Sequence, residues 1–243
     1  MPAIPNELLK ISTGCAAFDG LLDGGFDEGL LFDIFGPAGS GKSQLCFTLC
    51  ANCARKKEPV VFIDTSGTFR PERVTEIAGT ANVLGDIQYY RAYSIQDQIL
   101  ALERVKNSNP RLVVIDSATA LFSLIAPSAR RHLALMSHLH ELAYMASVSR
   151  CSIVITNMVR ATIQPEKNAP ESEKLLFADS AQSSSYSQHE FLGTTVSLYS
   201  HVTIELSIID STYSHYKATL QHPGEGGADF TIESRGIIDF QKY

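Results

Sequence analysis

Short apolar runs alternate with amphipathic segments along the first two thirds of the chain. The runs have the length of buried strands, and we predict strands over residues 30–35, 60–63, 87–93, 112–116 and 152–157. The segments between them repeat apolar side chains at helical spacing, which predicts helices over residues 44–55, from Pro71 onward, over 95–106 and over 128–147. Strands and helices that alternate at these lengths predict an α/β fold, with a mainly parallel sheet flanked by helices and with ligands at the carboxyl ends of the strands.

The pattern changes after residue 160. Residues 161–190 are mostly polar, and so long a connection inside a compact domain is usually a functional loop or a disordered one. Residues 194–209 and 212–222 then alternate as antiparallel strands joined at Asp210-Ser211. We therefore predict a C-terminal antiparallel β extension on one edge of the sheet. The 243 residues suffice for one sizeable core, so we predict a single domain over residues 1–243, with a short N-terminal segment over 1–14.

The connection between the first predicted strand and the first predicted helix fits the pattern G-x-x-x-x-G-K-[ST]. Its residues are Gly36, Pro37, Ala38, Gly39, Ser40, Gly41, Lys42 and Ser43. Glycines let successive backbone N–H groups turn around a phosphate, while Lys42 reaches the β and γ oxygens and the Ser43 hydroxyl ligates Mg²⁺. The strand before and the helix after argue against a chance match, so we predict a nucleoside triphosphate site of the P-loop type.

A second candidate partner of Mg²⁺ is Asp116, which ends the apolar run 112–116. A carboxylate at this end of a strand meets the cation that Ser43 and the triphosphate hold. The alternative is an aspartate that caps a helix or faces solvent.

Net charge, the length of the apolar runs and the spacing of the cysteines exclude several classes of protein. The net charge of −6 argues against a surface that coats nucleic acid, although a local basic loop could still contact phosphates. No apolar run approaches the roughly 20 residues of a membrane span and the N-terminus lacks a signal pattern, so we expect a soluble intracellular protein with no membrane partner. Cys46, Cys50 and Cys53 have a spacing also found in iron–sulfur sites, but they share one face of the predicted helix, which favours buried thiols.

Three further runs, at residues 62–73, 114–121 and 154–159, carry a resemblance to the ATPase core of the RecA/RadA-type recombinases. The resemblance extends from Ile11 to Phe240 and implies a RecA-like P-loop ATPase core that binds ATP and Mg²⁺. It also implies that Arg73 packs on the adenine, since a guanidinium plane stacks on an aromatic ring. The alternative for Arg73 is a surface salt bridge.

Two positions depart from the pattern of the active recombinases. Ser66 occupies the position of the glutamate that polarises the attacking water, and Met158 occupies that of the glutamine that senses the γ-phosphate. Neither a hydroxyl nor a thioether is a strong general base, so we expect triphosphate binding with weak or no hydrolysis and assign no catalytic residue. A rival hypothesis is a DNA-dependent ATPase or strand-exchange recombinase in which Glu72 is the base. A small-molecule P-loop kinase is disfavoured because no arginine-rich lid is evident.

A third departure lies in residues 1–14, which contain neither the N-terminal helical domain nor the Phe-x-x-Ala motif that plugs into the next protomer. Such a chain could accept a neighbour's plug without offering one. This resembles the paralogues that assist a recombinase, most of all the eukaryotic paralogue lettered D and next the archaeal RadB. The resemblance implies a mediator or filament-stabilising factor in homologous recombination and double-strand break repair. Its expected partners are a recombinase filament protein, another paralogue and single-stranded DNA, in the nucleus, or in the cytoplasm of an archaeon.

In this family the DNA-binding loops follow the strands that end at Asp116 and at Asn157. The first of these loops offers Arg130 and Arg131, and the second offers Arg160, Lys167 and Lys174 among several acids. A solvated helix start and a disordered loop are the alternatives. His132, His138 and His140 lie close in sequence, but the last two fall on opposite sides of a helix, which disfavours a metal site.

Overall fold

Ten strands of the described chain form one sheet with helices on both faces. The structure, a computed structural model, describes residues 9–106, 108–126, 128–163, 186–190 and 192–241. The strands are β1 Lys10–Ile11, β2 Phe26–Asp27, β3 Leu31–Gly36, β4 Val60–Asp64, β5 Ile87–Arg91, β6 Leu112–Asp116, β7 Ser152–Ile163, β8 Tyr186–Glu190, β9 Val202–Asp210, β10 His215–His222, β11 Gly226–Glu233 and β12 Gly236–Asp239. The helices are α1 Ala16–Leu21, α2 Lys42–Arg55, α3 Pro71–Ala78, α4 Ile95–Val105, α5 Ala129–Ser149 and α6 Gly193–Ser197.

The strand order of the sheet is β12-β11-β10-β9-β3-β7-β6-β4-β5, and β8 pairs with the far end of β7. The six strands from β9 to β5 run parallel to their neighbours. The three strands β10, β11 and β12 continue the sheet in antiparallel pairs. The predicted fold class, including the C-terminal antiparallel extension on one edge, is confirmed.

The central strands are apolar on both faces because helices cover both. Every residue of β4 and β6 is buried. One core cluster joins α2 and α3 to the sheet and the other joins α4 and α5 to its opposite face. The carboxyl ends of β3, β4, β6 and β7 therefore meet at one edge, where loops are free to form a site. No helix of the described residues is long and apolar enough to cross a bilayer.

Local sequence signals set where the helices begin. Pro71 is the first residue of α3, a position where its missing N–H costs no hydrogen bond. Ser94 and Asp97 form a capping box at α4, and the Ser128 hydroxyl accepts the Arg131 N–H at 3.2 Å at the start of α5. These starts lie within one residue or so of the predicted ones.

The predicted strand over residues 194–209 is wrong in its first part, where α6 precedes β9. Thr195 and Val196 are adjacent in sequence and both buried, an arrangement that the alternation of a half-buried strand does not provide. The Thr195 hydroxyl lies 2.7 Å from Nε2 of His132 on α5. Packing against α5 therefore makes residues 193–197 helical. Their β-branched residues would by themselves favour a strand.

The predicted loop over residues 161–190 is too long, because its first three residues belong to β7 and its last five to β8. The backbones of β7 and β8 pair antiparallel from Val159 opposite Glu190 to Ile163 opposite Tyr186. The remainder of that prediction, residues 164–185, lies outside the described residues. The assignment of residues 1–243 to a single domain stays a prediction.

The C-terminal extension is tied to the N-terminal part of the described chain through Asp239. Its carboxylate accepts the N–H groups of Ala16 and Ala17 at 3.1 and 2.7 Å, and the Cys15 thiol lies 3.2 Å away. These hydrogen bonds, the one from Ala17 foremost, hold the pKa of Asp239 below its usual range. β12 is thereby anchored to the start of α1, and the Ile237 N–H of β12 also donates to Thr48 Oγ1 of α2 at 3.2 Å.

Candidate functional site

The loop from Gly36 to Ser43 connects β3 to α2 in the conformation that a phosphate cradle requires. Gly36, Gly39 and Gly41 have φ values of +150°, +82° and +97°. A Cβ at Gly36 would lie 2.1 Å from the carbonyl oxygen of Leu206 on β9. Pro37, Ala38 and Ser40 fill the intervening positions, with Ala38 exposed at the crest and Ser40 buried. The glycines are therefore required by backbone conformation, and at Gly36 also by the close approach of β9.

Lys42 bends back over this loop. Its Nζ donates hydrogen bonds to the carbonyl oxygens of Gly36 and Pro37, each at 2.8 Å. Burial lowers the pKa of Lys42, while the Asp116 carboxylate opposes that shift. The ammonium group is thus held at the mouth of the cradle, where it can turn to phosphate oxygens.

The structure brings Ser43 and Asp116 together. Asp116 is 4% exposed, and its carboxylate accepts hydrogen bonds from Ser43 Oγ at 2.7 Å, Thr68 Oγ1 at 2.9 Å and Thr156 Oγ1 at 2.5 Å. Asp116 is therefore neither a helix cap nor solvated. A hydroxyl and a carboxylate are hard oxygen donors of the kind that Mg²⁺ prefers when phosphates and waters complete its shell. The donor set of Ser43 and Asp116 fits this ion.

A second buried carboxylate, Asp64 at the end of β4, shapes the neighbouring loop. It is 1% exposed, and its Oδ1 accepts the N–H groups of Ser66, Gly67 and Thr68 at 3.0, 2.6 and 3.2 Å. Arg91 Nη1 lies 3.2 Å from the same oxygen. A carboxylate that accepts several backbone N–H groups rigidifies the loop that contains them. Position 66 is therefore presented in a defined backbone conformation.

Both positions predicted to lack a catalytic group, 66 and 158, lie in the described part of the chain. Ser66 is exposed in the Asp64 loop, and Met158 is half-buried in β7, where it pairs with Gly36 of β3. Glu72, the rival candidate base, is exposed in the first turn of α3. None of these three side chains is among the described residues that line the cavity over the cradle.

That cavity has a volume of about 480 Å³ and lies between the P-loop, α3 and the C-terminal strands. Its lining residues are Gly39, Gly41, Lys42, Ser43, Gln44, Arg73, Tyr216 and Ile232. Gln44, Tyr216 and Ile232 were not predicted from the sequence. Gln44 directly follows the P-loop serine and could have been found from that position, but the last two belong to β10 and β11 and carry no motif.

Arg73 reaches this cavity with its guanidinium held in place. Its Nε donates to Gln44 Oε1 at 2.8 Å, and Nη1 donates to Glu76 Oε2 at 2.6 Å and to the Ser234 carbonyl at 3.2 Å. Nη2 donates to the carbonyl of Glu233. The side chain is only 18% exposed. The salt bridge predicted as an alternative is present, but the guanidinium is bound on several sides and its plane is fixed.

The Rad51 family profile matches residues 5–176, well over half of the chain. This chain belongs to the Rad51 family. The match spans the P-loop, the loop held by Asp64 and the strand that ends at Asp116.

Three curated relatives illustrate the similarity. The chain is 36% identical over 171 residues to the DNA repair and recombination protein RadA of Cenarchaeum symbiosum, covering 63% of this chain and 43% of the relative. It is 36% identical over 174 residues to RadA of Aeropyrum pernix (64% and 54%), and 34% identical over 176 residues to DNA repair protein RAD51 homolog B of Zea mays (65% and 52%). The alignments span about half the length of these relatives.

Only some of the basic residues predicted to contact DNA lie within the described part of the chain. Arg130 is exposed in the first turn of α5, and the neighbouring Arg131 donates from Nη1 to the Ile125 carbonyl at 3.1 Å. The backbone of Arg160 lies in β7, while Lys167 and Lys174 lie outside the described residues. The structure therefore places two adjacent arginines at a helix start, and DNA contact stays a prediction.

The cysteines of α2 are core residues of this fold. Cys46, Cys50 and Cys53 are buried, and all five cysteines are free thiols. Burial raises the pKa of each of the three, that of Cys53 to about 12. The interpretation as buried thiols is confirmed, because all three side chains are enclosed in the core and remain free thiols.

The histidines of α5 have separate partners. His132 faces Thr195, as described above, while the buried His138 lies 2.8 Å from Gln98 Nε2. Burial lowers the pKa of His138 to about 4. His138 is therefore a neutral core residue at physiological pH.

Proposed function

We propose that this Rad51-family chain binds ATP with Mg²⁺ over its P-loop and hydrolyses it weakly or not at all. The observation that carries the proposal is the pairing of Ser43 with Asp116 at 2.7 Å beneath a glycine loop. In the bound state Mg²⁺ would neutralise phosphate charge, with Ser43 and Asp116 as its ligands from the protein. Lys42 would hold the β and γ oxygens.

The weak hydrolysis that we propose is supported by the side chains at positions 66 and 158. A water molecule that attacks the γ-phosphate needs a group to orient it and to accept its proton. The active recombinases that this chain resembles have a glutamate and a glutamine at the two positions that supply such groups. This chain has a hydroxyl there, on Ser66, and a thioether, on Met158. Nucleotide would then act mainly as a ligand that stabilises one conformation or one complex.

The cellular role we propose is that of a recombinase paralogue, a mediator in homologous recombination and double-strand break repair. Its support is membership of the Rad51 family and relatives named for DNA repair and recombination. Among paralogues, the eukaryotic one lettered D and the archaeal RadB remain our first and second assignments. Such a role places the protein in the nucleus, or in the cytoplasm of an archaeon.

An open sheet edge supports the proposed protein partners. β5 is the last described strand on its side of the sheet, and strand edges accept a further strand from another chain. Tyr93, two residues after β5, is 76% exposed, and Leu100 on the following helix α4 is 55% exposed. We propose that a segment of the recombinase filament protein or of another paralogue docks there, and that single-stranded DNA is contacted through the complex.

The test is to measure binding and turnover separately. Calorimetric titration of the purified chain with Mg·ATP should show binding, and Lys42→Ala should abolish it. Phosphate release should stay at background with and without single-stranded DNA. Robust DNA-stimulated turnover by the isolated chain would reject the proposal, and its loss in Glu72→Gln would establish the rival DNA-dependent ATPase.

A further inference from the structure

We infer that Tyr216 of β10 is the platform on which the base of the bound nucleotide stacks. This inference rests on the proposed function and deepens it, because it divides the site into a phosphate part and a base part. The phosphate part belongs to the P-loop, early in the chain. The base part belongs to the C-terminal extension, a region that carries no nucleotide-binding motif.

The Tyr216 ring is held in a fixed orientation. In the β10–β11 pairing Tyr216 lies opposite Phe230, and their rings stack with centroids 5.5 Å apart and planes 19° apart. Phe230 is fully buried and packs edge-on against Phe18 at 5.9 Å. Tyr216 is half-buried and lines the cavity. One side of the ring is therefore braced by the core, and the ring contributes an aromatic wall to the cavity.

The C-terminal strands also lie directly against the phosphate cradle. A Cβ at Gly41 would approach Ile232 Cδ1 at 2.9 Å and Phe230 Cε2 at 3.6 Å. Ile232 and Tyr216 line the same cavity as Lys42 and Ser43. A ligand whose phosphates occupy the cradle therefore has its remaining part beside β10 and β11.

The chemistry of the cavity walls points to a planar, uncharged aromatic group next to phosphates. Of the described residues that line it, none is acidic; two are cationic, Lys42 and Arg73, and two are large and apolar or aromatic, Ile232 and Tyr216. Arg73 has its guanidinium edge bound to protein acceptors, so its planar face remains for stacking. A nucleobase can stack on both the tyrosine ring and the guanidinium face, whereas a polyphosphate has no aromatic face to stack on the tyrosine.

The inference is tested by comparing Mg·ATP with Mg·tripolyphosphate, which lacks a base, in calorimetric titrations of the full chain. Tyr216→Leu keeps an apolar side chain against Phe230 but removes the aromatic face, and Tyr216→Ala removes both. We expect each to weaken ATP binding about tenfold, the order that base stacking contributes, and to leave tripolyphosphate binding unchanged. Tyr216→Phe should bind ATP as the natural chain does.

A matched control is Tyr213→Ala. Tyr213 is 72% exposed in the turn before β10 and lines a different cavity, of about 580 Å³, beside His215 and Phe240. This variant should bind both ligands normally. The chain has no tryptophan, so Tyr216→Trp provides a single tryptophan at the platform, whose emission can be excited apart from that of the tyrosines. Its emission should change on addition of Mg·ATP and stay constant with Mg·tripolyphosphate.

The outcomes separate the inference from the proposed function. If the natural chain binds tripolyphosphate and Tyr216→Leu leaves ATP affinity unchanged, the platform is refuted and the P-loop site stands. Equal losses of both ligands in Tyr216→Leu would also refute the platform, since they would show a general structural role. If the natural chain binds neither ligand, both the proposed function and the platform are overturned.

Discussion

Replacing Asp116 with asparagine should separate the binding of Mg²⁺ from the stability of the fold. The side chains have the same shape, so the change removes a charge and one acceptor oxygen without leaving a cavity. In the structure Oδ2 accepts from Ser43 and Thr68, and Oδ1 accepts from Thr156. An amide nitrogen in place of Oδ2 would force the Ser43 and Thr68 hydroxyls to turn and accept instead.

The cost to the fold can be estimated from these contacts. Hydrogen bonds to a charged acceptor contribute about 1 kcal/mol more than neutral ones. All three bonds lose their charged acceptor, which predicts a decrease of about 3 kcal/mol in the free energy of unfolding, measurable by urea denaturation. The effect on ATP binding should be of a different kind. The variant lacks the carboxylate charge proposed to face Mg²⁺, so the ion should no longer tighten the binding of ATP.

The assay is calorimetric titration with ATP in the presence of Mg²⁺ and again in the presence of a chelator. We expect Mg²⁺ to tighten ATP binding to the natural chain about tenfold or more, and to have little effect on Asp116→Asn. The control is Asp239→Asn, which also removes a carboxylate that accepts hydrogen bonds, from Ala16 and Ala17, but lies outside the P-loop. It should lower stability and keep the Mg²⁺ dependence. Full Mg²⁺ dependence in Asp116→Asn would refute the assignment of Asp116 as a ligand.

Three further predictions concern the P-loop, hydrolysis and pH. Gly36→Ala should lower the free energy of unfolding by about 3 kcal/mol or more, because its Cβ would lie 2.1 Å from the Leu206 carbonyl. Gly29→Ala, where a Cβ meets nothing within 4 Å, should cost only about 1 kcal/mol of backbone strain, and equal losses in urea denaturation would contradict the role of the Leu206 contact. Ser66→Glu should raise phosphate release from ATP about tenfold or more, since a general base contributes roughly 10²- to 10⁴-fold, and an unchanged rate would show that the missing carboxylate is not what limits hydrolysis. His138 has a folded-state pKa of about 4 against an ordinary 6.5, so its stabilising contribution is complete above pH 6.5 and is lost as the pH falls toward 4, by at most about 1.4 kcal/mol per pH unit. Urea denaturation between pH 5 and 7 should show a shallower decline for His138→Gln than for the natural chain, and equal slopes would refute the assignment.

Much of the site could be predicted because its parts are local in sequence. The P-loop pattern, with a strand before and a helix after, defines a cradle within a few residues of chain. The pairing of Ser43 with Asp116 follows from a general property of parallel sheets, whose strands end at a common edge. Helix starts such as Pro71 were predictable because a first helical position has its own chemistry.

Apart from Gln44, which directly follows Ser43, the features that were missed depend on residues far apart in the chain. α6 is helical because Thr195 and Val196 pack against α5, and β propensity alone favours a strand there. Tyr216 lines the cavity beside the P-loop only because β9 pairs with β3 and brings the antiparallel strands to that side of the sheet.

By itself, the sequence determined most of the strands and helices over residues 30–157 and the position of the P-loop between β3 and α2. These properties depend on hydrophobic period, turn chemistry and the identity of single residues. The tertiary structure alone decided that Arg73 is bound to Gln44 and to the turn after β11, and that an aromatic ring of the C-terminal extension borders the cradle. Such contacts form through the packing of distant surfaces, and no local pattern encodes which surfaces will meet.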